Sequence, residues 1–181
     1  MQKVVVVLKD GSKTSLENWQ KLYNLEVGSK KIGKYFSLDE PRFASDLKAY
    51  GELVVNEQLI RLLDAFREKV NLPISLNSFN RSEAHQAELR AQGFKAAINS
   101  PHVAKMAADI DTVNATQTRN WAKTIQEVAK QKGIKVRIGF EQYLSVGQTF
   151  IHVDVCPEFY AKGKPFSAQA HPTQWEFELM W

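Results

Sequence analysis

The sequence contains little cysteine and has no long apolar run. One cysteine, Cys156, stands among the 181 residues, so no disulfide can form within the chain. Cys156 follows an apolar run, which favours a buried, unreactive thiol over a nucleophile. The N-terminal apolar run, Val4 to Leu8, is five residues long. It is too short for a secretory signal or a membrane span, and Asp10-Gly11 after it indicates a strand followed by a turn.

The excess of positive charge is also small. Lys and Arg total 24 and Asp and Glu total 20, which gives a net charge of +4 and a pI near 9.1. This charge suits an anionic partner. There is no Lys/Arg run with interleaved aromatic residues, which argues against a nucleic-acid-binding groove. The hydrophobic fraction of 44% is that of a globular protein with a substantial core.

Apolar residues at helical spacing predict the principal helices. The clearest helix is predicted over residues 56–70, where apolar side chains recur every three or four positions. Further helices are predicted after Ser15, over residues 83–91 and over residues 116–132. Residues 37–40 have the spacing of a capping box and predict a short helical turn.

Alternating apolar and polar residues predict the strands. These strands cover residues 74–79, 134–138 and 150–155. An aromatic segment, Trp175 to Trp181, predicts a closing edge strand, with an aromatic ligand platform or subunit contact as the alternative. We therefore expect an α+β fold with a small, largely antiparallel sheet and helices packed against it. The basic segment 29–36 is predicted to separate an N-terminal appendage, residues 1–30, from the main domain, residues 31–181.

Histidine is scarce, and two of the four histidines lie near carboxylates. His102 has six residues between it and Asp109, and His152 follows about forty residues later. Two imidazoles and one carboxylate are the donor set of a catalytic zinc with one open position. The alternatives are structural or surface histidines and, for Asp109 and Asp111, a turn at the end of a strand.

The segments around these residues resemble those of a known family. Residues 100–109 follow the family pattern Ser-x-His-x-x-Gly-x-Ala-x-Asp, except at the glycine. Residues 78–85 are similar to its upstream motif, and residues 150–155 are similar to its downstream motif. Residues 35–40 resemble the segment that opens the domain. Together these motifs resemble the zinc D-Ala-D-Ala carboxypeptidase and endopeptidase family, in particular its small phage and bacterial branch.

The resemblance implies roles for individual residues. It implies a zinc ion, in a cleft on the sheet, held by His102, Asp109 and His152 with water in the fourth position. It implies that Arg81 is a catalytic and substrate-binding residue, since a planar guanidinium can hold two oxygens of a substrate carboxylate or carbonyl. A structural ion pair is the alternative for Arg81. Ser100 is predicted to bind substrate or, like Ser78, to orient ligands or backbone.

Two positions depart from the family pattern. Lys105 stands where the family has glycine, and Thr149 stands where many members have the acid that activates the water. Asp154 is the best replacement for that base, because it shares a strand face with His152. Glu141 is a weaker candidate. Asp154 could instead be a ligand or orient one, and the sequence leaves these roles open.

The function that the resemblance implies is zinc-dependent hydrolysis of a peptide bond in bacterial peptidoglycan, as a carboxypeptidase or an endopeptidase. Without a signal sequence, we expect a protein made in the cytoplasm that reaches the wall after phage-type release, in lysis or as a tail-associated component. A cytoplasmic dipeptidase is a lesser alternative. A non-catalytic wall-binding or phage structural protein that retains the fold is the alternative from a different class.

Overall fold

The computed structural model describes residues 3–93, 100–155 and 178–181. These residues form eight strands and six helices. The strands are β1 Lys3–Val7, β2 Lys13–Ser15, β3 Glu52–Asn56, β4 Leu76–Ser78, β5 Ala107–Asp111, β6 Arg137–Gly139, β7 Phe150–Asp154 and β8 Leu179–Met180. The helices are α1 Leu16–Leu22, α2 Pro41–Tyr50, α3 Glu57–Val70, α4 Glu83–Ala91, α5 Ala115–Lys132 and α6 Glu141–Leu144.

The strands form two sheets. The larger sheet has five strands in the order β4-β5-β7-β6-β8, and each neighbouring pair in it is antiparallel. The smaller sheet has the order β2-β1-β3, with β1 antiparallel to β2 and parallel to β3. The predicted α+β fold with a largely antiparallel sheet is therefore confirmed.

The two faces of β5 and β7 have different chemistry. Ala108 and Ile110 on β5, and Ile151 and Val153 on β7, are fully buried in the hydrophobic core. The intervening residues point to the opposite face, because side chains alternate along a strand. The pairing of β5 with β7 places Asp109 opposite His152. One face of the sheet thus supplies the core, and the other carries the polar residues of the site.

The long helices follow the predicted pattern. Asn56 caps α3 by accepting hydrogen bonds from the Gln58 and Leu59 backbone N–H groups. The helix ends at Asn71, which is in the left-handed conformation with a φ of 51°. Helices α3 and α5 pack together through an edge-to-face contact of Phe66 and Trp121, whose ring centroids are 5.3 Å apart. The helices predicted after Ser15 and over residues 56–70, 83–91 and 116–132 are confirmed.

Helix α2 extends beyond the short turn predicted near residues 37–40. The Ser37 N–H donates to the Glu40 carboxylate, as one half of a capping box would. Pro41 occupies the first turn, where a fixed φ suits a helix and no N–H is needed. The helix then continues to Tyr50 because Phe43 and Leu47 bury one of its faces. Strands β2 and β3 were not predicted, and β4 and β6 are shorter than the predicted strands 74–79 and 134–138.

The N-terminal strand pairs with a strand fifty residues away. All five residues of β1 pair with β3, from Lys3 with Glu52 to Val7 with Asn56. Trp19 on α1 is fully buried in the same core cluster as Leu59, and its Nε1–H donates to the Ile32 carbonyl at 2.8 Å. The predicted division between residues 30 and 31 stays a prediction.

The last part of the chain is described over residues 178–181. Leu179 and Met180 form β8, which pairs with β6, so the predicted closing edge strand is seen over these two residues. Cys156, His171 and Trp175 lie outside the described residues. In the described ranges, no helix has both the length and the apolar character needed to span a membrane.

Candidate metal centre

Three buried side chains converge on the polar face of the five-stranded sheet. Asp109 lies on β5 and His152 lies opposite it on β7, while His102 lies in the turns that precede β5. The His102 Nε2 and His152 Nδ1 atoms are 3.1 Å and 3.0 Å from Asp109 Oδ1. All three possible ligand atoms lie within 4.8 Å of one another. Two imidazole nitrogens and one carboxylate oxygen therefore surround one point.

The orientation of His102 is set by its other ring nitrogen. His102 Nδ1 lies 2.8 Å from the Phe79 carbonyl oxygen, so Nδ1–H donates and the Nε2 lone pair faces Asp109. Burial lowers the pKa of His102 and outweighs the attraction of Asp109, which favours the neutral ring. A neutral imidazole whose outer nitrogen donates to a backbone carbonyl has the tautomer and the ring orientation that metal binding requires.

The orientation of His152 is set by a buried ion pair. Its Nε2 lies 2.9 Å from Asp154 Oδ2, which directs Nδ1 towards Asp109. The Asp154 carboxylate also accepts two hydrogen bonds from Arg137, at 2.7 and 2.9 Å, and both partners are 0% exposed. Asp154 and Arg137 face each other across β7 and β6. The Asp154–Arg137 pair therefore fixes the orientation of the His152 ring through Nε2, the nitrogen that points away from Asp109.

The electrostatics of the centre favour positive charge. Burial alone would lower the pKa of His152, but hydrogen bonds to Asp109 and Asp154 outweigh it and raise the pKa to about 9. Burial would likewise raise the pKa of Asp154, but His152 and Arg137 lower it to about 2. Burial would also raise the pKa of Asp109, but its contacts with the two histidines outweigh burial and hold that pKa well below its usual range. A metal ion bound at this point would take the place of the proton on His152 Nδ1.

Arg81 lies beside the three convergent side chains. Its Nη2 donates to Ser78 Oγ at 2.7 Å and lies 4.0 Å from Asp109 Oδ2, and its Nη1 donates to Gln86 at 3.0 Å. The side chain is 18% exposed, so the protein does not enclose it fully. Arg81 therefore combines contact with the centre and access from outside, as a substrate-binding arginine requires.

Both serines of the site contact His102. Ser100 is buried, and its Oγ accepts the His102 N–H at 3.2 Å. Ser78 Oγ accepts from Arg81 and lies 3.4 Å from His102 Nδ1. These contacts fit the predicted orienting role of both serines. The substrate-binding role of Ser100 stays a prediction.

Lys105 has a backbone conformation that suits glycine. Its φ is 62°, in the left-handed region, where a side chain on Cβ is unfavourable. A glycine in the corresponding place of the sequence pattern would adopt this conformation without strain. The side chain of Lys105 reaches back, and its Nζ donates to the Arg81 carbonyl oxygen at 2.6 Å.

The candidates for the general base have other partners. Both oxygens of Asp154 accept from Arg137, and Oδ2 also faces the outer nitrogen of His152, so the geometry favours an orienting role over the base role predicted for it. Glu141 forms a two-bond ion pair with Arg119 at the surface. At Thr149, the position of the family's acid, the backbone carbonyl accepts the Thr112 N–H at 3.1 Å.

Two groups of the site were missed in the sequence. Arg137 is one of them, although the apolar residues Val136 and Ile138 on either side place its side chain on the opposite face of the strand. The other is the Phe79 carbonyl, which carries no signal in the sequence because every residue has a backbone oxygen. The donor set itself fits a zinc ion, since two oriented imidazoles and one carboxylate leave a fourth position open.

The chain is similar to one protein family and to a solved structure. A search of curated proteins finds no match. Among solved structures, the crystal structure of the Serratia marcescens L-Ala D-Glu endopeptidase ChiX is similar, with 19% sequence identity and a TM-score of 0.48 over 68% of this chain and 98% of that one. The sequence pattern that defines Peptidase M15 matches residues 34–154, which include all three convergent side chains. The chain therefore belongs to the Peptidase M15 family, as its motifs indicate.

Proposed function

We propose that this protein is a zinc-dependent peptidase that hydrolyses a peptide bond in bacterial peptidoglycan. The observation that carries the proposal is the convergence of His102 Nε2, His152 Nδ1 and Asp109 on one point, with the outer nitrogen of each histidine fixed by a hydrogen bond. Membership of a peptidase family supports a hydrolytic role for this centre. The resemblance of its motifs to the zinc D-Ala-D-Ala carboxypeptidase and endopeptidase family makes peptidoglycan stem peptides the first substrates to test.

The three convergent residues would hold the zinc ion. With Asp109 ionised, the charge of zinc and its ligands is +1, and the Asp154–Arg137 pair adds none. When bound, zinc supplies a Lewis acid that acidifies water and polarises a peptide carbonyl. Asp154 positions His152 and, through Arg137, is itself held in place. We assign Asp154 this positioning role in place of the base role, because Arg137 and His152 already engage its buried carboxylate.

Arg81 binds the substrate beside the metal ligands. Its guanidinium lies 4.0 Å from Asp109 and presents a planar set of donors. A substrate carboxylate or carbonyl that accepts from Arg81 would lie next to the zinc position, which orients the neighbouring peptide bond. Whether that bond is terminal or internal distinguishes a carboxypeptidase from an endopeptidase, and the products will identify it. Action at the wall after phage-type release is part of the proposal.

The test combines zinc content with product identification. The purified chain is loaded with zinc, measured by elemental analysis and incubated with purified sacculi, and released peptides are identified by mass spectrometry. We expect about one zinc per chain, new amino and carboxyl ends, and loss of both zinc and cleavage after treatment with a chelator. Cleavage that survives complete removal of zinc would refute the proposal.

A non-catalytic wall-binding protein is the second candidate. Thr149 favours it, because its side chain cannot act as a base at neutral pH and Asp154 is engaged by Arg137. In the same experiment this candidate predicts sedimentation of the protein with sacculi but no new peptide ends. Arg81→Ala would then weaken sedimentation if the same site binds the wall.

A further inference from the structure

We propose that Lys105 is a positioning residue that holds the backbone of Arg81 in place for substrate binding. The inference rests on the proposed function, since it concerns how Arg81 engages substrate. The first observation is the left-handed φ of 62° at Lys105. A residue other than glycine occupies this region at a cost in conformational free energy, because its Cβ is crowded there, and the rest of the structure must offset that cost. The contacts of its side chain show what offsets that cost.

The ammonium group of Lys105 is fixed by two neighbours. Nζ donates to the Arg81 carbonyl oxygen at 2.6 Å and lies 5.6 Å from the centre of the Tyr50 ring. The side chain is partly buried, and burial lowers the pKa of Lys105 while the carboxylates of Asp46 and Glu52 act in the opposite direction. A charged donor to a carbonyl is among the stronger hydrogen bonds of a protein.

Lys105 and Arg81 are also joined through the metal-ligand turn. The His102 carbonyl accepts the Arg81 N–H at 3.3 Å and the Lys105 N–H at 3.1 Å. Arg81 is therefore held at its N–H by His102 and at its carbonyl by Lys105. Because its backbone is left-handed, Lys105 can donate its N–H to the same His102 carbonyl as Arg81 does. Its side chain can then turn back and donate to the Arg81 carbonyl. This links the position of the guanidinium to that of a metal ligand.

The residue before Arg81 is anchored to the smaller sheet. The Asn80 side chain accepts the Val54 N–H at 2.7 Å and donates to the Val54 carbonyl at 3.0 Å, so it pairs with the edge of β3 as a strand would. The Asn80 N–H donates to the Asp46 carboxylate at 2.9 Å. Strand β3 thus fixes the backbone before Arg81, and the contact from Lys105 fixes the carbonyl group after its Cα. Loss of Lys105 should therefore displace Arg81 while leaving the metal ligands in place.

Three variants separate the backbone and side-chain contributions. Lys105→Met keeps the left-handed strain and removes the donor, Lys105→Gly removes both, and Lys105→Arg keeps a charged donor. The control, Lys48→Met, removes an exposed lysine on α2. The assay measures kcat and KM on a soluble disaccharide-pentapeptide prepared from peptidoglycan, together with zinc content and thermal unfolding.

We expect KM to rise about tenfold in Lys105→Met and in Lys105→Gly, since a small displacement of a positioning group is enough for such a loss. Zinc content and kcat should be nearly unchanged, and Lys105→Arg and Lys48→Met should retain the KM of the parent. If Lys105 had only a structural role, Lys105→Gly would be at least as active as the parent, because glycine relieves the backbone strain. An unchanged KM in Lys105→Gly would overturn the inference.

A second readout needs no turnover. Amide hydrogen exchange at Arg81, whose N–H donates to the His102 carbonyl, should accelerate about tenfold in the zinc-loaded Lys105→Met protein, because the Arg81 backbone loses its second anchor. If the parent cleaves no stem peptide, the proposed function fails while this exchange measurement still decides the role of Lys105. Unchanged exchange at Arg81 would contradict that role whether or not the parent is active.

Discussion

Replacing Asp154 with asparagine tests how the centre is held together. The change removes one negative charge and keeps the size of the side chain. Asp154 is the partner of two groups, since it accepts from His152 Nε2 at 2.9 Å and from Arg137 at 2.7 and 2.9 Å. All of these groups are buried, so water cannot replace the lost carboxylate. The substitution should therefore lower both the unfolding free energy and the affinity for zinc.

The magnitudes follow from these two contacts. Arg137 and Asp154 are both 0% exposed, and breaking a buried ion pair by removing one partner costs about 3–5 kcal/mol of unfolding free energy. For the metal, loss of the group that orients a histidine ligand lowers affinity about 10- to 100-fold. A general base would behave differently, because its removal lowers turnover and leaves zinc affinity unchanged.

Zinc affinity is measured by competition with a chromophoric chelator, and the unfolding free energy is measured by urea denaturation. The control is Asp111→Asn, which removes the carboxylate two residues after Asp109 on the same face of β5. Asp111 accepts a hydrogen bond from Asn77 at 2.8 Å. The control should lose less than about 1.5 kcal/mol, the value of an ordinary hydrogen bond, and keep its zinc. Asp154→Asn with parental zinc affinity and stability but low turnover would refute the positioning role and restore the base role.

Three further substitutions test separate parts of the account. His102→Ala should abolish stoichiometric zinc binding, and full zinc content in this variant, by elemental analysis, would disprove its assignment as a ligand. Arg81→Lys should keep zinc and lower kcat/KM on stem peptides by about tenfold or more, because an ammonium lacks the planar fork; parental kcat/KM would argue against a two-oxygen contact. Gly33→Ala should lower the unfolding free energy by about 1–3 kcal/mol, because an added Cβ would lie 2.9 Å from both Asp64 carboxylate oxygens; unchanged urea denaturation would show that Asp64 can move.

Much of the fold could be predicted because its helices carry a strong local signal. Helix α3 has an apolar face that recurs along its whole length and a capping asparagine before it. Helix α2 was underestimated because Pro41, read alone, suggests a break and only Phe43 and Leu47 mark its buried apolar face. Strand β3 was missed because its apolar run, Leu53 to Val55, is short and its partner β1 lies about fifty residues away, so the pairing itself leaves no local pattern.

The three convergent residues could be predicted from the resemblance of their motifs to a known family, but the groups that orient them could not. His102, Asp109 and His152 are rare donor types in recognisable motifs, and the structure brings them together. The partnership of Arg137 with Asp154 depends on the register of β6 against β7, which a single sequence does not specify. The contact of Lys105 with Arg81 depends in the same way on the approach of two loops.

The zinc site that we propose consists of His102, Asp109 and His152, with Nε2 of His102 and Nδ1 of His152 as the ligand atoms. Its most direct test is an anomalous difference map from a crystal of the zinc-loaded protein, measured on both sides of the zinc absorption edge. We expect one strong peak within bonding distance of those two nitrogens and of the Asp109 carboxylate, with His152 Nε2 still directed at Asp154. A peak elsewhere, or zinc bound through His152 Nε2, would contradict it.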